Sequence, residues 1–304
     1  MLKTYEDIRC AAKSGSRQVL AVVEAADAEV LKACREAMDM GIASSILIGD
    51  PAAITAAAKV AGVSLDGFEI VESREPMESV RKAATLVREG RAGMLMKGHL
   101  PTGTIMKGVL DRDNGLRGSG ILSHTMVAEA TGYERFLLLS DAGLNPAPDA
   151  DMLEAIIRNA VMVSHALGNE KPKVACLSAV EIPSEKVPST ILCAEMKKRY
   201  DDGKLAGCVV DGPMALDLAL SEHAIEAKSY PNLDVAGHAD VLIVPDLVSG
   251  NVLGKSFIYT ANYRCGGIIT GSRVPIVLLS RSDTSVTKLD SIALACVYAQ
   301  KHGA

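Results

Sequence analysis

The sequence predicts an α/β protein with parallel-rich sheets, divided into two lobes by an interdomain cleft. Short apolar, β-branched runs alternate with helix-like patterns along almost the whole chain, which is typical of repeated βα units. Two of these runs, in segments 241–251 and 274–283, stop abruptly at polar residues and lead into helical patterns, as buried parallel strands do at their carboxyl ends. The chain has 304 residues, which is long enough for two hydrophobic cores.

The predicted elements follow one another as strand and helix. The predicted strands are the apolar runs at residues 18–23, 44–48, 93–97, 136–140, 174–177, 207–210, 241–244 and 274–279. The predicted helices cover residues 28–40, 52–61, 77–88, 151–167, 249–263 and 284–300, and a further helix begins at Thr102. Because helices separate the strands, we expect parallel sheets with helices on both faces.

The lobe boundaries are expected where the chain is rich in glycine and charge. Residues 110–123 have this composition and predict the first crossing, and residues 270–273 predict the return. The first lobe is then expected to comprise residues 1–122 and 272–304, and the second residues 123–271. The last predicted strand would complete the sheet of the first lobe, so the polar residues after it would lie at the cleft, where ligands commonly bind.

Composition excludes several classes of protein. A net charge of −5, 3% aromatic residues and the absence of a basic run argue against a nucleic-acid partner. The apolar stretches are too short and too interrupted to predict a membrane span or the apolar core of a signal peptide. The seven cysteines are scattered singly, which favours a reducing cytoplasm over a disulfide framework or a zinc site.

The densest chemical signal follows the last predicted strand. Ser280, Arg281 and Asp283 bring a hydroxyl, a permanent cation and a carboxylate within four residues. A site that binds an anionic group and moves a proton needs these three kinds of group together. We therefore take Ser280, Arg281 and Asp283 as the candidate catalytic residues.

A second candidate site is an anion site after the strand at 93–97. Lys97 supplies charge, Gly98 and Gly103 allow close backbone approach, and Thr102 is a candidate cap of the helix that follows. The N–H groups at a helix start favour an anion such as phosphate. The alternative is a capped helix next to a surface lysine, and the residues alone do not decide between the two.

Other polar residues stand near predicted strand or helix ends, where open α/β sheets bind ligands. The substrate-binding candidates among them are His124, Asp211, Asp246, Ser249, Asn251 and Arg264. Each alone is explained equally well or better by a cap, a turn or a structural hydrogen bond. Arg264, which is predicted to lie at a helix end beside Cys265, could instead contact the carbonyls of that helix. No HxxxH or HExxH pattern is present, which disfavours a metal enzyme, and no glycine fingerprint for a dinucleotide follows the first strand.

Four segments together resemble one known family. They are Ser-Asp-Ala-Gly-Leu-Asn-Pro-Ala-Pro-Asp (140–149), Val-Asp-Gly-Pro-Met-Ala-Leu-Asp (210–217), Val-Pro-Asp-Leu-Val-Ser-Gly-Asn (244–251) and Leu-Ser-Arg-Ser-Asp (279–283). In this order they resemble the phosphate acetyl/butyryltransferase family, and the second segment is more similar to the butyryl branch. The resemblance implies the two-lobed fold of the isocitrate and isopropylmalate dehydrogenases, a CoA-binding cleft, and a homodimer or larger homo-oligomer.

The resemblance also implies a reaction, which is acyl-CoA plus phosphate giving acyl phosphate plus CoA. It implies CoA as a substrate, no permanently bound cofactor, no obligatory metal, and coupling to a carboxylate kinase. Ser280 and Arg281 match the family's Ser-Arg pair, and their chemistry suits orienting the sulfur or oxyanion and holding phosphate. The family's following aspartate has no direct match, because an alignment without gaps places Thr287 at its position. Asp283 and Asp290 lie on either side, and Asp283 is our candidate general base.

Three alternatives remain open from the sequence. The first is a preference for acetyl-CoA over butyryl-CoA, since packing sets the size of an acyl pocket. The second is an NAD- and metal-dependent dehydrogenase of the same fold, which the missing histidine pattern disfavours. The third is a CoA- or phosphate-binding module without activity, which the Ser280, Arg281 and Asp283 cluster disfavours.

Overall fold

The protein folds into two compact units. The computed structural model describes residues 1–118, 120–231, 234–280 and 283–303. One unit, here called the terminal unit, comprises Tyr5–Gly120 and Gly266–Ala304, and the other, the central unit, comprises Met1–Thr4 and Ile121–Cys265.

Helices and strands alternate in both units. The strands are β1 (Gln18–Val23), β2 (Ala43–Gly49), β3 (Glu69–Glu72), β4 (Met94–Lys97), β5 (Ser123–Glu129), β6 (Leu137–Ser140), β7 (Lys173–Leu177), β8 (Val209–Met214), β9 (Val241–Ile243), β10 (Arg264–Thr270) and β11 (Ile276–Val277). The helices are α1 (Tyr5–Ser14), α2 (Ala28–Asp39), α3 (Pro51–Ala61), α4 (Pro76–Arg88), α5 (Thr102–Leu110), α6 (Ala150–Ala166), α7 (Pro188–Asp201), α8 (Leu216–Leu220), α9 (Glu222–Lys228), α10 (Leu247–Tyr259) and α11 (Ser285–His302), and a 3₁₀ turn covers Arg112–Asn114.

The terminal unit is built on a mostly parallel sheet with the strand order β3-β2-β1-β4-β11. In its register Val23 lies opposite Lys97, and Val277 lies opposite Met96. β11 also pairs antiparallel with β10 through Ile276 and Ile269. The chain steps from β1 through β2 to β3 on one side and then returns to place β4 on the other side of β1. This reversal is a topological switch point, where open α/β sheets bind ligands.

The central unit has the strand order β5-β6-β9-β7-β8. All pairs are parallel except β5 with β6, which are antiparallel. Its core is apolar and includes residues of β6, β7 and β9 and of α10, among them Leu139, Ala175, Leu242 and Phe257. Such fully covered parallel strands explain the continuous apolar runs in the sequence.

Local chemistry sets the ends of several helices. Asp27 caps α2 by accepting the N–H of Val30 at 2.9 Å, and Asp50 caps α3 with Pro51 in its first turn. α11 is buried without interruption from Lys288 to Ala299. In the part of the chain that the structure describes, no helix is both long enough and apolar enough to cross a membrane.

Candidate functional site

In the terminal unit, the switch point between β1 and β4 is built around a close backbone approach. Glu24, the residue after β1, has a left-handed backbone with φ of 56°, and its carbonyl accepts the N–H of His99 at 2.7 Å. A Cβ at Gly98 would lie 2.1 Å from this carbonyl oxygen, so only glycine fits there. The Glu24 carboxylate accepts the hydroxyl of the buried Ser79 at 2.5 Å. The loops that follow β1 and β4 are therefore fixed at the point where the sheet topology favours a ligand.

Lys97 lies at this switch point and is buried, with 8% of its surface exposed. Its ammonium donates to the carbonyls of Gly98 at 3.2 Å and Leu100 at 3.3 Å. The alternative of a surface lysine is therefore wrong. A buried lysine amid backbone carbonyls places a positive charge against the loop that leads into α5.

The expected helix cap at Thr102 is also wrong. The cap position is taken by Pro101, whose side chain makes no capping hydrogen bond, and Thr102 is the first residue of α5. Proline has no polar side-chain atom, so it cannot satisfy the first N–H groups of the helix. A Cβ added at Gly103 would meet no heavy atom within 4 Å, so this glycine, unlike Gly98, is not required by contact.

After β11, a short turn joins Ser280 to Asp283. The N–H of Ser280 donates to Asp283 Oδ2 at 2.7 Å, and the N–H of Asp283 donates to the Ser280 carbonyl at 3.2 Å. Ser280 is exposed and Asp283 is half-buried. Arg281, the third candidate catalytic residue, lies outside the described residues. The turn holds a hydroxyl and a carboxylate at the carboxyl end of a parallel strand, beside the start of α11.

The other candidates for a general base differ from Asp283 in their surroundings. Asp290 is fully buried in α11, and its Oδ1 accepts from Arg9 Nε at 2.9 Å and Nη2 at 2.7 Å. This carboxylate therefore belongs to an ion pair between α1 and α11. Thr287 donates its N–H to the cap residue Thr284 at 3.3 Å, and it carries no carboxylate.

In the central unit, Asp141 organises the loop after β6. This carboxylate is buried, and its Oδ1 accepts the N–H groups of His124 at 3.1 Å, Gly143 at 2.9 Å and Leu144 at 3.2 Å. Its Oδ2 accepts both the backbone N–H at 3.0 Å and the side-chain amide at 2.5 Å of Asn145. The sequence places Asp141 in a polar cluster but assigns it no role, since its donors are mostly backbone groups that no residue pattern reveals.

The start of α10 packs against this loop. Asp246 caps the helix by accepting the N–H of Ser249 at 2.8 Å, and the Ser249 hydroxyl donates to the same oxygen at 3.0 Å. A Cβ at Gly250 would lie 2.4 Å from the Asp141 carbonyl oxygen, so the helix approaches the loop closely. Asn251 is exposed, just after the first turn of the helix. The central unit thus brings Asp246, Ser249, Asn251 and, through Asp141, His124 into one neighbourhood.

Three sequence-based placements need correction. His124 belongs to the start of β5 rather than the end of a strand, because β5 begins at Ser123. Asp211 lies inside β8, which continues to Met214, and burial raises the pKa of its carboxyl. Arg264 begins β10 and is not a helix-end residue, because α10 stops at Tyr259.

Asp211 and Arg264 lie on different strands, β8 and β10. Asp211 is on the edge strand of the central sheet, where its Oδ1 accepts the N–H of Gly212 at 2.9 Å. Arg264 is half-buried, and the next residue, Cys265, packs in the central core. Among the residues that the structure describes, no group of three or more His, Cys, Asp or Glu side chains is arranged to hold a metal ion.

The chain is similar to proteins of known activity over nearly its full length. It is 42% identical to a phosphate butyryltransferase of Clostridium acetobutylicum, with 98% of this chain and 99% of the relative covered. It is 37% identical to a phosphate acetyltransferase of Rhizobium meliloti, with 99% and 95% covered.

Solved structures also match the chain over most of its length. A branched-chain phosphotransacylase from Enterococcus faecalis V583 matches with a TM-score of 0.81 and 31% identity, covering 92% of this chain and 99% of that one. A 4-hydroxythreonine-4-phosphate dehydrogenase from Klebsiella pneumoniae matches with a TM-score of 0.59 and 13% identity over 93% and 99% of the chains, which shows a shared fold alone. The model of the family "Phosphate acetyl/butaryl transferase" matches residues 4–82 and 74–296. The chain therefore belongs to the phosphate acetyl/butyryltransferase family.

Proposed function

We propose that the protein transfers a short acyl group between CoA and inorganic phosphate, with butyryl-CoA and phosphate giving butyryl phosphate and CoA. The observation that carries this proposal is the turn that joins Ser280 to Asp283 at the end of β11, in a chain 42% identical to a phosphate butyryltransferase. Both substrates are bound at once, and no covalent enzyme intermediate forms. Much of the rate then comes from positioning the two substrates.

The reaction proceeds by attack of a phosphate oxygen on the thioester carbonyl carbon. The new C–O bond forms, the C–S bond breaks, and the CoA thiolate leaves and takes up a proton. Ser280 orients the sulfur or the developing oxyanion, and Arg281 holds the phosphate. In the reverse direction Asp283 accepts the thiol proton, since its carboxylate is half-buried beside Ser280, whereas the carboxylate of Asp290 is tied to Arg9.

Further residues contribute to substrate binding. Lys97 and the start of α5 at Thr102 supply positive potential for an anionic group. The remaining substrate contacts are assigned to His124, Asp211, Asp246, Ser249, Asn251 and Arg264. CoA is a substrate and no cofactor is permanently bound. The protein acts in the cytoplasm as a homodimer or larger homo-oligomer, and a carboxylate kinase consumes its acyl phosphate product.

The test is CoA release from butyryl-CoA, followed with a thiol reagent, with and without phosphate and with acetyl-CoA in parallel. We expect release that strictly requires phosphate, and the ratio of kcat/KM for the two thioesters assigns the acyl preference. Ser280→Ala and Asp283→Asn should each lower kcat by about a hundredfold or more. Asp50→Asn, in an exposed helix cap where asparagine serves equally well, is the matched control. Release from neither thioester, or normal turnover of both variants, would overturn the proposal.

A further inference from the structure

Lys288 is a buried charged residue that none of the roles above uses. It lies in the first turn of α11 and is 4% exposed. Its ammonium donates to the carbonyl of Asp283, the residue that closes the turn with Ser280. Within the described part of the chain, no carboxylate lies within 4.0 Å of Lys288 Nζ.

This pairing is incomplete for a buried cation. A lysine ammonium has three N–H donors, and the structure gives Lys288 one acceptor. Burying an ammonium is costly unless an anion or several acceptors surround it. Other buried charges in this chain are better satisfied: Asp141 accepts from four residues, and Asp290 is paired with Arg9. Lys288 therefore has N–H donors left over for an anion from outside the chain.

The N–H groups at the start of α11 and the nearby carboxylate of Glu29 are already paired with each other or with other groups. The N–H of Ser285 already donates to Glu29 Oε2 at 2.8 Å, and the N–H of Thr287 donates to the cap residue Thr284. The carboxylate of Glu29 is held there by Lys32 at 2.8 Å. The helix terminus is thus largely satisfied, and the unmet donors belong to the Lys288 side chain.

We infer that Lys288 binds the phosphate substrate, as a second cation beside the Ser280–Asp283 turn. This inference rests on the proposed acyl transfer. Inorganic phosphate is small enough to approach a buried ammonium, and its several oxygens match the unmet donors. The phosphate groups of CoA share this chemistry, so the test separates the two sources. Lys288 contacts the nucleophile and is a substrate-binding residue rather than a base.

Lys288→Met keeps the length of the side chain and removes the charge. We expect the KM for phosphate to rise about thirtyfold or more, with the KM for butyryl-CoA unchanged. Lys288→Arg should recover part of the loss. The matched control is Lys301→Met, in the last turn of the same helix and exposed, which should leave both constants unchanged. An unchanged phosphate KM with a lowered kcat or stability would assign Lys288 a structural role and overturn the inference.

A second measurement uses the unmodified protein and no activity. Hydrogen exchange in residues 283–290 is followed with inorganic phosphate alone, and separately with adenosine 3′,5′-bisphosphate. We expect phosphate to slow exchange in this segment, and the bisphosphate to have no effect there. Protection by the bisphosphate alone would assign the anion to CoA, and protection by neither would remove the anion site; both results overturn the inference. If phosphate slows exchange but the protein shows no acyl transfer activity, the proposed function is contradicted and the phosphate site stands.

Discussion

Replacing Asp141 by asparagine tests how the loop after β6 is held. The carboxylate accepts five hydrogen bonds from four residues, and it is 3% exposed. In Asp141→Asn an NH₂ group takes the place of one oxygen and cannot accept. If the amide oxygen keeps the three bonds of Oδ1, the NH₂ group faces the two donors of Asn145.

The magnitude follows from those two bonds. A hydrogen bond to a charged group contributes about 1.5–3 kcal/mol, and each donor left buried without an acceptor adds a further cost. We therefore expect Asp141→Asn to lower the free energy of unfolding by about 3 kcal/mol or more. With a slope of about 2 kcal/mol per M urea, the unfolding midpoint falls by about 1.5 M.

The assay is urea unfolding of the variant beside Asp149→Asn as a control from the same loop. Asp149 is exposed and caps α6 by accepting the N–H of Met152 at 2.9 Å. Asparagine caps a helix as well as aspartate does, so the control should change the unfolding free energy by less than about 0.5 kcal/mol. Equal and small effects of the two substitutions would refute the reasoning that Asp141 holds the loop.

Three further outcomes are expected. Gly98→Ala should lower the unfolding free energy by about 3 kcal/mol or prevent folding, because the new Cβ meets the Glu24 carbonyl, whereas Gly103→Ala should have little effect; similar urea midpoints for the two would contradict this. Asp211→Asn should gain stability relative to the parent protein over the pH range above about 3.9, where an ordinary aspartate ionises: burial raises the pKa of the folded carboxyl, which stays protonated after the unfolded one has ionised, so the parent loses stability as the pH rises. Urea midpoints across that range check it, and a gap that does not grow with pH would contradict it. Arg9→Met removes the ion pair of a fully buried carboxylate and should lower the unfolding free energy by about 3 kcal/mol, measured by the same titration; a loss below about 0.5 kcal/mol would contradict it.

The sequence predicts the regular elements of this fold well where local patterns are strong. The strand at Gln18–Val23 is as predicted, because an apolar β-branched run bounded by polar residues has few alternatives. The strand Arg264–Thr270 is not predicted, since Cys-Gly-Gly after a helix is also the pattern of a helix end. Its pairing with β11 is antiparallel and joins Ile269 to Ile276, so it depends on a strand that follows later in the chain.

In the candidate site too, the sequence predicts features that neighbouring residues determine and misses those that distant residues determine. The turn between Ser280 and Asp283 is local, and the spacing in the sequence predicts that these residues act together. The burial of Lys97 and Lys288 is set by strands and helices far along the chain, so no local pattern reveals it. The sequence predicts the same close approach for Gly98 and Gly103, yet only Gly98 meets another backbone.

The most direct test of the account is phosphorus NMR of the protein mixed with butyryl-CoA and inorganic phosphate. Phosphate attack on the thioester predicts a new acyl phosphate resonance that grows in step with free CoA. The same mixture with Ser280→Ala protein should form it at least about a hundredfold more slowly. CoA release without any acyl phosphate resonance would mean hydrolysis by water, and would contradict transfer to phosphate.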